Sequence, residues 1–310
     1  MRHSFSLDDI RLQNAWLTIG IFDGVHRGHQ EILHPLVAEA HSNGDPAVVV
    51  TFTPHPAIVL GGKTDFKCLT LTGERAALLG SFGVDEVITQ TFDRSLADQT
   101  VEEFMQRLSQ NLGLSHLFIG YDTAFGRGRA GDAKRLEDIG SSLGYSVRII
   151  PPLKNEGGII SSTRIRSAVG AGNVTAATND LGRYYSITGP VVHGDGRGHI
   201  MNFPTANIQM PAGKVEPAFG IYVTRAWVNQ KMFPAATSIG VRPTFYKDEV
   251  PTPTIEAHLL DFDRDLYGQE ITLEFVEYLR PEEKFPSSQT LMVQIKKDIE
   301  RTRLKLAEKN

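Results

Sequence analysis

The sequence predicts an α/β module followed by a mainly β module that closes with one helix. Three observations predict it. From Trp16 to Ile150, short apolar runs alternate with helical patterns, the signature of right-handed βαβ units and a parallel sheet. Beyond Gly182 this gives way to strands punctuated by turn signals. The last segment, 286–309, spaces Leu291, Ile295, Ile299, Leu304 and Leu306 among charges, as an amphipathic helix does. Residues 1–182 therefore read as a Rossmann-like sandwich, and residues 183–310 as an antiparallel β-barrel with a terminal helix.

The elements follow in order. Residues 16–22 read as a strand and 28–42 as a helix that stops at Asn43-Gly44. The valine-rich run 47–52 is a strand, 72–82 a helix and 86–91 a strand. Residues 100–112 form a helix with apolar positions at Val101, Phe104, Met105 and Leu108. A strand at 116–119, a helix at 132–143 and a strand at 146–150 complete the sheet, and the Pro/Gly-rich stretch 151–158 reads as a loop. In the second module, 186–193, 220–228, 232–239, 254–260 and 269–278 read as strands.

Composition narrows the function classes. The chain has 310 residues, room for two ordinary domains, with 41% hydrophobic and 22% charged residues. A formal charge of −4 is not the basic excess of a nucleic-acid binder. The single cysteine, Cys68, forms no internal disulfide, which fits a reducing compartment. Residues 1–14 carry Asp8 and Asp9 and lack the apolar stretch of a signal peptide. Apolar runs such as 47–52 fall far short of the roughly 20 residues of a membrane span. The expectation is a soluble cytoplasmic protein, a monomer or weak homo-oligomer, acting on small molecules without nucleic acid or membrane.

Phosphate chemistry is written at the end of the first strand. The segment Gly20-Ile21-Phe22-Asp23-Gly24-Val25-His26-Arg27-Gly28-His29 leaves that strand and opens a helix. Gly20, Gly24 and Gly28 let backbone approach a ligand, and the helix start offers unpaired N–H groups to an anion. His26 and His29, three apart, can share a face and donate to phosphate oxygens. No Gly-Lys-Ser/Thr follows, so this is not a Walker A loop. The alternative is a tight turn with surface histidines; its place at the carboxyl end of a strand favours the nucleotide reading. A zinc site would need a Cys or carboxylate at ligand spacing.

Other segments fall at corresponding strand ends. Ile160-Ser161-Ser162-Thr163-Arg164-Ile165-Arg166 puts three hydroxyls before two arginines, a donor density suited to polyphosphate or else a capped helix with solvated arginines. Thr51-Phe52-Thr53-Pro54-His55-Pro56 holds His55 between prolines. In 120–126, Tyr121 and Phe125 can stack on a flat ring and Asp122 can hold its polar edge; a plain structural loop is the alternative. In the second module, Gly189, Gly194, Gly196 and Gly198 give a loop able to cover phosphates. Thr205 and Asn207 offer oxygen ligands for a hard cation such as Mg²⁺, or simply a turn motif. Strand 254–260 puts Glu256 and His258 on one side, opposite Ile255, Ala257 and Leu259, as any half-solvated strand would.

Taken jointly, GIFDGVHRGHQ, TFTPHP, GYDTAFGRGRAGD and ISSTRIR, with FPTAN and the Glu256 strand downstream, resemble the bacterial bifunctional riboflavin kinase/FAD synthetase family over nearly the whole chain. The resemblance implies an N-terminal nucleotidyltransferase sandwich that adenylylates FMN and a C-terminal kinase barrel that makes the FMN. ATP, riboflavin, FMN and FAD are then substrates and products, with Mg²⁺ as cofactor. It implies that His26 and His29 bind ATP phosphates on a turn built by Gly20, Phe22, Asp23, Gly24 and Gly28. Ser162, Thr163 and Arg164 would handle the departing pyrophosphate, and His55, Tyr121, Asp122 and Phe125 would face the flavin. In the barrel, Gly194, Gly196, Gly198, Thr205 and Asn207 would bind the nucleotide, with Thr205 and Asn207 nearest the metal, and Glu256 would be the general base. The chain departs from the family pattern at Ile21 (often Asn), at Thr123-Ala124 (often Phe-Arg) and at Asn202 (usually Gly). Two rivals stay open from residues alone: another nucleotidylyltransferase with a noncatalytic barrel, and a flavin sensor without catalysis.

Overall fold

A computed structural model describes residues 1–194, 203–241 and 253–308 of the chain. Two compact units emerge, Met1–Ser162 and Thr163–Asn310.

The first unit is a six-stranded parallel sheet with helices on both faces. Its elements are β1 (Arg2–Ser4), β2 (Trp16–Ile19), α1 (Arg27–Asn43), β3 (Ala47–Thr53), α2 (Pro56–Val59), α3 (Thr72–Ser81), β4 (Glu86–Thr91), α4 (Arg94–Ala97), α5 (Val101–Leu112), β5 (His116–Gly120), α6 (Ala133–Leu143) and β6 (Ser146–Ile150). The strand order is β1-β4-β3-β2-β5-β6, and every pairing is parallel. The chain winds outward from β2 to β4, then returns to lay β5 on the other side of β2. The topological switch lies between β2 and β5, where such sheets open a crevice beyond the strand ends.

Alternation along the strands builds two cores. Leu17, Ile19, Val48, Val50 and Leu117 face α5 and α6, whose Val101, Phe104, Met105, Leu108 and Leu136 meet them. Trp16, Val49, Val87 and Phe118 face α1 and α3 through Leu33, Leu36, Ala76 and Leu79. The helices are well terminated. Thr100 and Glu103 form a reciprocal capping box on α5, and Gly113 ends it in the left-handed conformation that a residue without Cβ adopts freely.

Some short elements carry no apolar pattern. Strand β1 is held at the sheet edge by side chains: Arg2 pairs with Glu86 at 2.8 Å, Ser4 donates to Glu86 at 2.6 Å, and His3 meets Thr89 at 2.9 Å. The stretch expected as a loop at 151–158 contains part of a two-strand hairpin, β7 (Lys154–Asn155) with β8 (Gly158–Ile159).

The second unit opens with two helices, α7 (Ser162–Gly170) and α8 (Val174–Leu181); α7 starts at the unit boundary, and α8 packs on the barrel. Its strands are β9 (Tyr185–Val192), β10 (Ala206–Ile208), β11 (Gly220–Val228), β12 (Lys231–Val241), β13 (Pro253–Leu259) and β14 (Glu270–Arg280). They close as β10-β13-β12-β11-β14-β9, all antiparallel. Inward positions such as Ile187, Tyr222, Ala226, Ile255, Ala257, Leu273 and Phe275 are buried.

The C-terminal helix, Ser288–Ala307, lies against β11 and β12, and its Leu306 packs on Val223 and Val276. Its seam differs from the expected apolar stripe. The buried positions are Asp298, Thr302 and Leu306, while Leu304 is exposed. The reason is a pair of charges. Arg280, at the end of β14, donates Nε and Nη2 to the Asp298 carboxylate at 2.7–3.2 Å, and Gln294 adds a third donor at 2.9 Å.

A buried carboxylate pair of this kind is costly to break from one side. Asp298→Ala should destabilise the second unit by about 3 kcal/mol. Urea unfolding followed through Trp227, in a Trp16→Phe background, measures it. The control is Arg303→Ala, which removes the exposed Asp261 pair from a helical position and should leave the midpoint in place.

Candidate functional site

In the first unit the turn between β2 and α1 is strained and tightly fixed. Phe22 (φ +52°), Gly24 (φ +82°) and Val25 (φ +39°) all lie in the left-handed region, which costs energy for the two residues with side chains. Burial of both side chains holds them there. The Asp23 carboxylate, itself buried, accepts from the Leu69 and Thr70 amides at 3.1 and 3.0 Å. The Gly24 amide donates to Thr70 Oγ1 at 2.9 Å, and Gln30 Nε2 donates to the Val25 carbonyl at 2.9 Å. Asp23 thus serves the turn from behind.

The turn delivers two imidazoles to the start of α1. His26 is the N-cap, and its Nδ1 lies 3.3 Å from the His29 amide. The two rings stack with centroids 3.6 Å apart, and Phe22 packs on His29. Gly28 makes the stack possible, because a Cβ there would sit 3.2 Å from the His26 ring. His29 Nδ1 is buried with no hydrogen-bond partner. Burial above all, with His26 and the Arg75 charge adding to it, holds the His29 pKa well below its ordinary value, so the ring is neutral near pH 7.

Several segments singled out in the sequence converge here. Ser162 Oγ donates to the Asp23 carbonyl at 2.8 Å, joining positions 139 residues apart. The Ile160 carbonyl passes 3.6 Å from where a Gly28 Cβ would stand. Gly20, Phe22, Asp23, Gly24, His26, Gly28, His29 and Ser162 therefore form one cluster. Thr163 and Arg164 lie in the second unit. There Arg164 pairs with the buried Asp180 at 2.9 Å, and Thr163 accepts from Arg166 at 3.1 Å.

The residues expected on the flavin side occupy varied surroundings. Tyr121 is exposed just beyond β5, beside the topological switch. Asp122 and Thr123 sit over Gly120, and the Thr123 amide closes the turn on the Gly120 carbonyl at 3.1 Å. Phe125 packs edge-on against Phe104, in contact with the core. His55 caps α2 by accepting from the Ala57 amide at 3.1 Å, and its ring stacks on Phe66.

The barrel carries a second cluster. Asn207 on β10 stands directly opposite Glu256 on β13, and Glu256 is also paired with Ser238 on β12. Ile255, Ala257 and Leu259 point inward, so Glu256 and His258 lie on the outer face, as the alternation predicts. His258 Nδ1 meets the Pro204 carbonyl at 2.8 Å, tying the segment that carries Thr205 to this face. Asn207 lies against the Gly194 backbone, where any Cβ would collide with its amide group. Ser238 Oγ donates to Glu282 at 3.2 Å, and that carboxylate fills the space left by Gly240. Gly194, Thr205, Asn207 and Glu256 are thus near one another; Gly196, Gly198 and Asn202 lie outside the described residues.

Two comparisons bear on the family. The sequence profile described as FAD synthetase matches residues 9–164, and that of riboflavin kinase matches residues 181–306. The chain belongs to the bifunctional riboflavin kinase/FMN adenylyltransferase family. A member from Pseudomonas fluorescens is 38% identical over 283 residues, covering 91% of this chain and 90% of that protein. One from Escherichia coli is 36% identical over 300 residues, covering 96% and 95%, and one from Listeria monocytogenes is 32% identical over 304 residues, covering 98% and 96%. A crystal structure described as a macrolide-efflux protein from Streptococcus pneumoniae superposes with a TM-score of 0.90 at 31% identity, over 97% of this chain and 98% of that one. Among the described residues no helix is long and apolar enough to cross a membrane.

Within this riboflavin kinase/FMN adenylyltransferase chain, Gln30 supports the first cluster from the end of its motif, and Thr70 and Arg75 lie beside it without belonging to any motif. The one trace in the sequence is a charge inside an apolar stripe: Arg75 shares the buried face of α3 with Ala76 and Leu79.

The His29 environment has a measurable consequence. The unfolded chain takes up this proton near the ordinary value of 6.5, and the folded chain refuses it until lower pH. His29 therefore opposes folding increasingly as pH falls through 6.5, and contributes nothing to the pH dependence above it. NMR titration of the His29 ring should show a midpoint well under 6.5. A midpoint at or above 6.5 would contradict the enclosed geometry.

Proposed function

We propose that the chain makes FAD in two steps at these two clusters. In the barrel, riboflavin is phosphorylated: its 5′-oxygen attacks the γ-phosphorus of ATP, giving FMN and ADP. In the sandwich, an FMN phosphate oxygen attacks the α-phosphorus of ATP, giving FAD and pyrophosphate. The observation that carries this reading is the difference between the clusters. The barrel presents a carboxylate, Glu256, beside Asn207. The sandwich presents two stacked imidazoles, and the turn's own carboxylate, Asp23, is occupied by backbone amides.

That difference matches the nucleophiles. An alcohol must lose its proton as it attacks, and Glu256 would accept that proton. Phosphate is already ionised near pH 7, so adenylyl transfer needs positioning and charge neutralisation. His26 and His29 would donate hydrogen bonds to ATP phosphates, on a turn formed by Gly20, Phe22, Asp23, Gly24 and Gly28. Ser162, Thr163 and Arg164 would receive the pyrophosphate. His55, Tyr121, Asp122 and Phe125 would border the flavin.

In the kinase, Gly194, Gly196, Gly198, Thr205 and Asn207 would bind the nucleotide. Thr205 and Asn207 offer neutral, hard oxygen donors beside the Gly194 backbone, a set that suits Mg²⁺ shared with nucleotide phosphates. Bound there, the cation would offset phosphate charge. We assign residues 1–182 to the adenylyltransferase and 183–310 to the kinase. We read the protein as cytoplasmic, a monomer or weak homo-oligomer, with small molecules rather than nucleic acid or membrane as partners.

Two substitutions separate the chemistries. His29→Ala should slow FMN adenylylation by roughly 10²–10³-fold and leave riboflavin phosphorylation near the parental rate. Glu256→Gln keeps the shape but cannot take a proton; it should slow riboflavin phosphorylation by roughly 10²–10⁴-fold and spare adenylylation. Parallel assays started from riboflavin and from FMN give both rates. Comparable losses in both assays for either variant, with normal circular dichroism, would sink the two-site reading.

The loop after β5 supplies another test. Thr123→Phe with Ala124→Arg adds an aromatic face and a cation on the proposed flavin side, contacts worth about 0.5–1.5 kcal/mol each. The KM for FMN in adenylylation should fall. An unchanged KM in a folded variant would mean that this loop does not face the flavin.

A further inference from the structure

The row that carries Glu256 continues beyond it. Asn207 on β10, Glu256 on β13, Ser238 on β12 and Ile221 on β11 are successive partners across four neighbouring strands. Directly paired residues put their side chains on one face, with strands about 4.8 Å apart. The outer face of the barrel therefore presents, in order, an amide, a carboxylate, a hydroxyl and a half-buried apolar side chain.

Asn207 and Glu256 have roles above; Ser238 has none. Its Oγ donates to Glu282 Oε1 at 3.2 Å, in the stretch that follows β14. The Glu282 carboxylate lies against the Gly240 backbone, in space that any Cβ at position 240 would occupy. A hydroxyl has one proton and two lone pairs. With the proton directed at Glu282, Ser238 faces its surroundings as an acceptor, one strand away from Glu256. An acceptor there fits a donor on the substrate.

We propose that Ser238, oriented by Glu282, accepts a hydrogen bond from a hydroxyl of the riboflavin side chain and sets the kinase's specificity for a polyol. The inference rests on the kinase reading of Glu256. The row follows the order of groups in the reacting pair: phosphate at Asn207, the 5′-hydroxyl at Glu256, the rest of the hydroxylated chain at Ser238, and the flat ring toward Ile221. The hydroxyl concerned is on the 4′ or the 3′ carbon, because Glu256 takes the 5′ position and Ser238 stands a single strand spacing away. A site with such an acceptor rejects a chain that lacks the matching donor, since the serine oxygen is then left unmet. Glu282 is a positioning residue: it touches Ser238 and not the substrate.

The experiment measures kcat and KM for riboflavin, 4′-deoxyriboflavin and 3′-deoxyriboflavin in the kinase reaction with MgATP, in the parent, Ser238→Ala and Glu282→Ala. Ser238→Ala should raise the KM for riboflavin by about 3–10-fold, the worth of one neutral hydrogen bond. For one of the two deoxy analogues the same substitution should change nothing, because that analogue has already lost the partner. Glu282→Ala releases the Ser238 proton and should raise the riboflavin KM in the same direction by a smaller factor. The KM for ATP should be parental in both variants.

A parental riboflavin KM in Ser238→Ala overturns the proposal. So does a rise of equal size for all three substrates, since a merely structural serine would act on every chain alike. A parental riboflavin KM in Glu282→Ala overturns the orientation by Glu282. If Ser238→Ala does not fold, Glu282→Ala decides alone on the same three substrates. The Glu256→Gln assay separates this failure from that of the underlying reading. Loss of phosphorylation there with a silent Ser238→Ala removes only Ser238, whereas parental phosphorylation in Glu256→Gln removes the base on which the row is aligned.

Discussion

The N-terminal site depends on one buried carboxylate. Asp23 gathers the amides of Leu69 and Thr70, Thr70 in turn takes the Gly24 amide, and the Asp23 carbonyl receives Ser162. Two distant stretches of chain, at 69–70 and at Ser162, are thereby fixed to one turn that would otherwise relax. The left-handed conformations at Phe22 and Val25 persist because these bonds over-determine them. With the turn fixed, α1 can begin only at His26, and the two imidazoles can lie only in the stack observed. The parallel sheet adds direction. It ends β2 and β5 side by side at the point where the winding reverses, so both strand ends open on one crevice.

The two units solve opposite problems. In the sandwich one turn of backbone is contorted, and it holds a stacked pair of imidazoles over a buried carboxylate. In the barrel the β10–β13–β12 ladder runs in unbroken register, and that pairing sets Asn207, Glu256 and Ser238 in one row. A ladder in register suits a general base, since it sets the carboxylate beside Asn207 without bending the backbone. A contorted turn suits phosphate, which is recognised by convergent N–H groups.

Much of this architecture is legible in the amino-acid order. Strands at Glu86–Thr91, Ser146–Ile150 and Gly220–Val228 fall where hydrophobic alternation puts them, and helices begin at Thr100 and Asp132 because both cap. What is not legible has short length or unusual chemistry. Strand β1 is made by Glu86 and Thr89 contacts rather than apolar residues, and β10 has only three residues inside a segment that reads as a loop. The C-terminal helix departs from expectation in part: Leu306 is buried and Leu291, Ile295 and Ile299 are half-buried, but Asp298, paired with Arg280, sits in the seam and Leu304 lies outside. In the site, the histidines and Ser162 announce themselves by motif. Arg75 and Thr70 do not, since their contribution is burial at a distance in sequence. Phe125 looks free to stack on a ligand, yet its ring is already packed on Phe104.

The barrel is closed by its shortest strand. Among the described residues, Asn207 and Ile208 pair β10 with β9 and the Gln209 amide adds a bond to the Pro190 carbonyl, while β11 and β12 share nine paired positions. Cooperative opening begins where the fewest bonds must break, so among the described pairings the β9–β10 seam is a weak one, and its amides should exchange with solvent ahead of those in the β11–β12 hairpin. The residue at that seam is also one proposed to meet the nucleotide. A ligand seated on Asn207 would act as a rivet across the seam, and catalytic readiness and barrel integrity would become a single equilibrium.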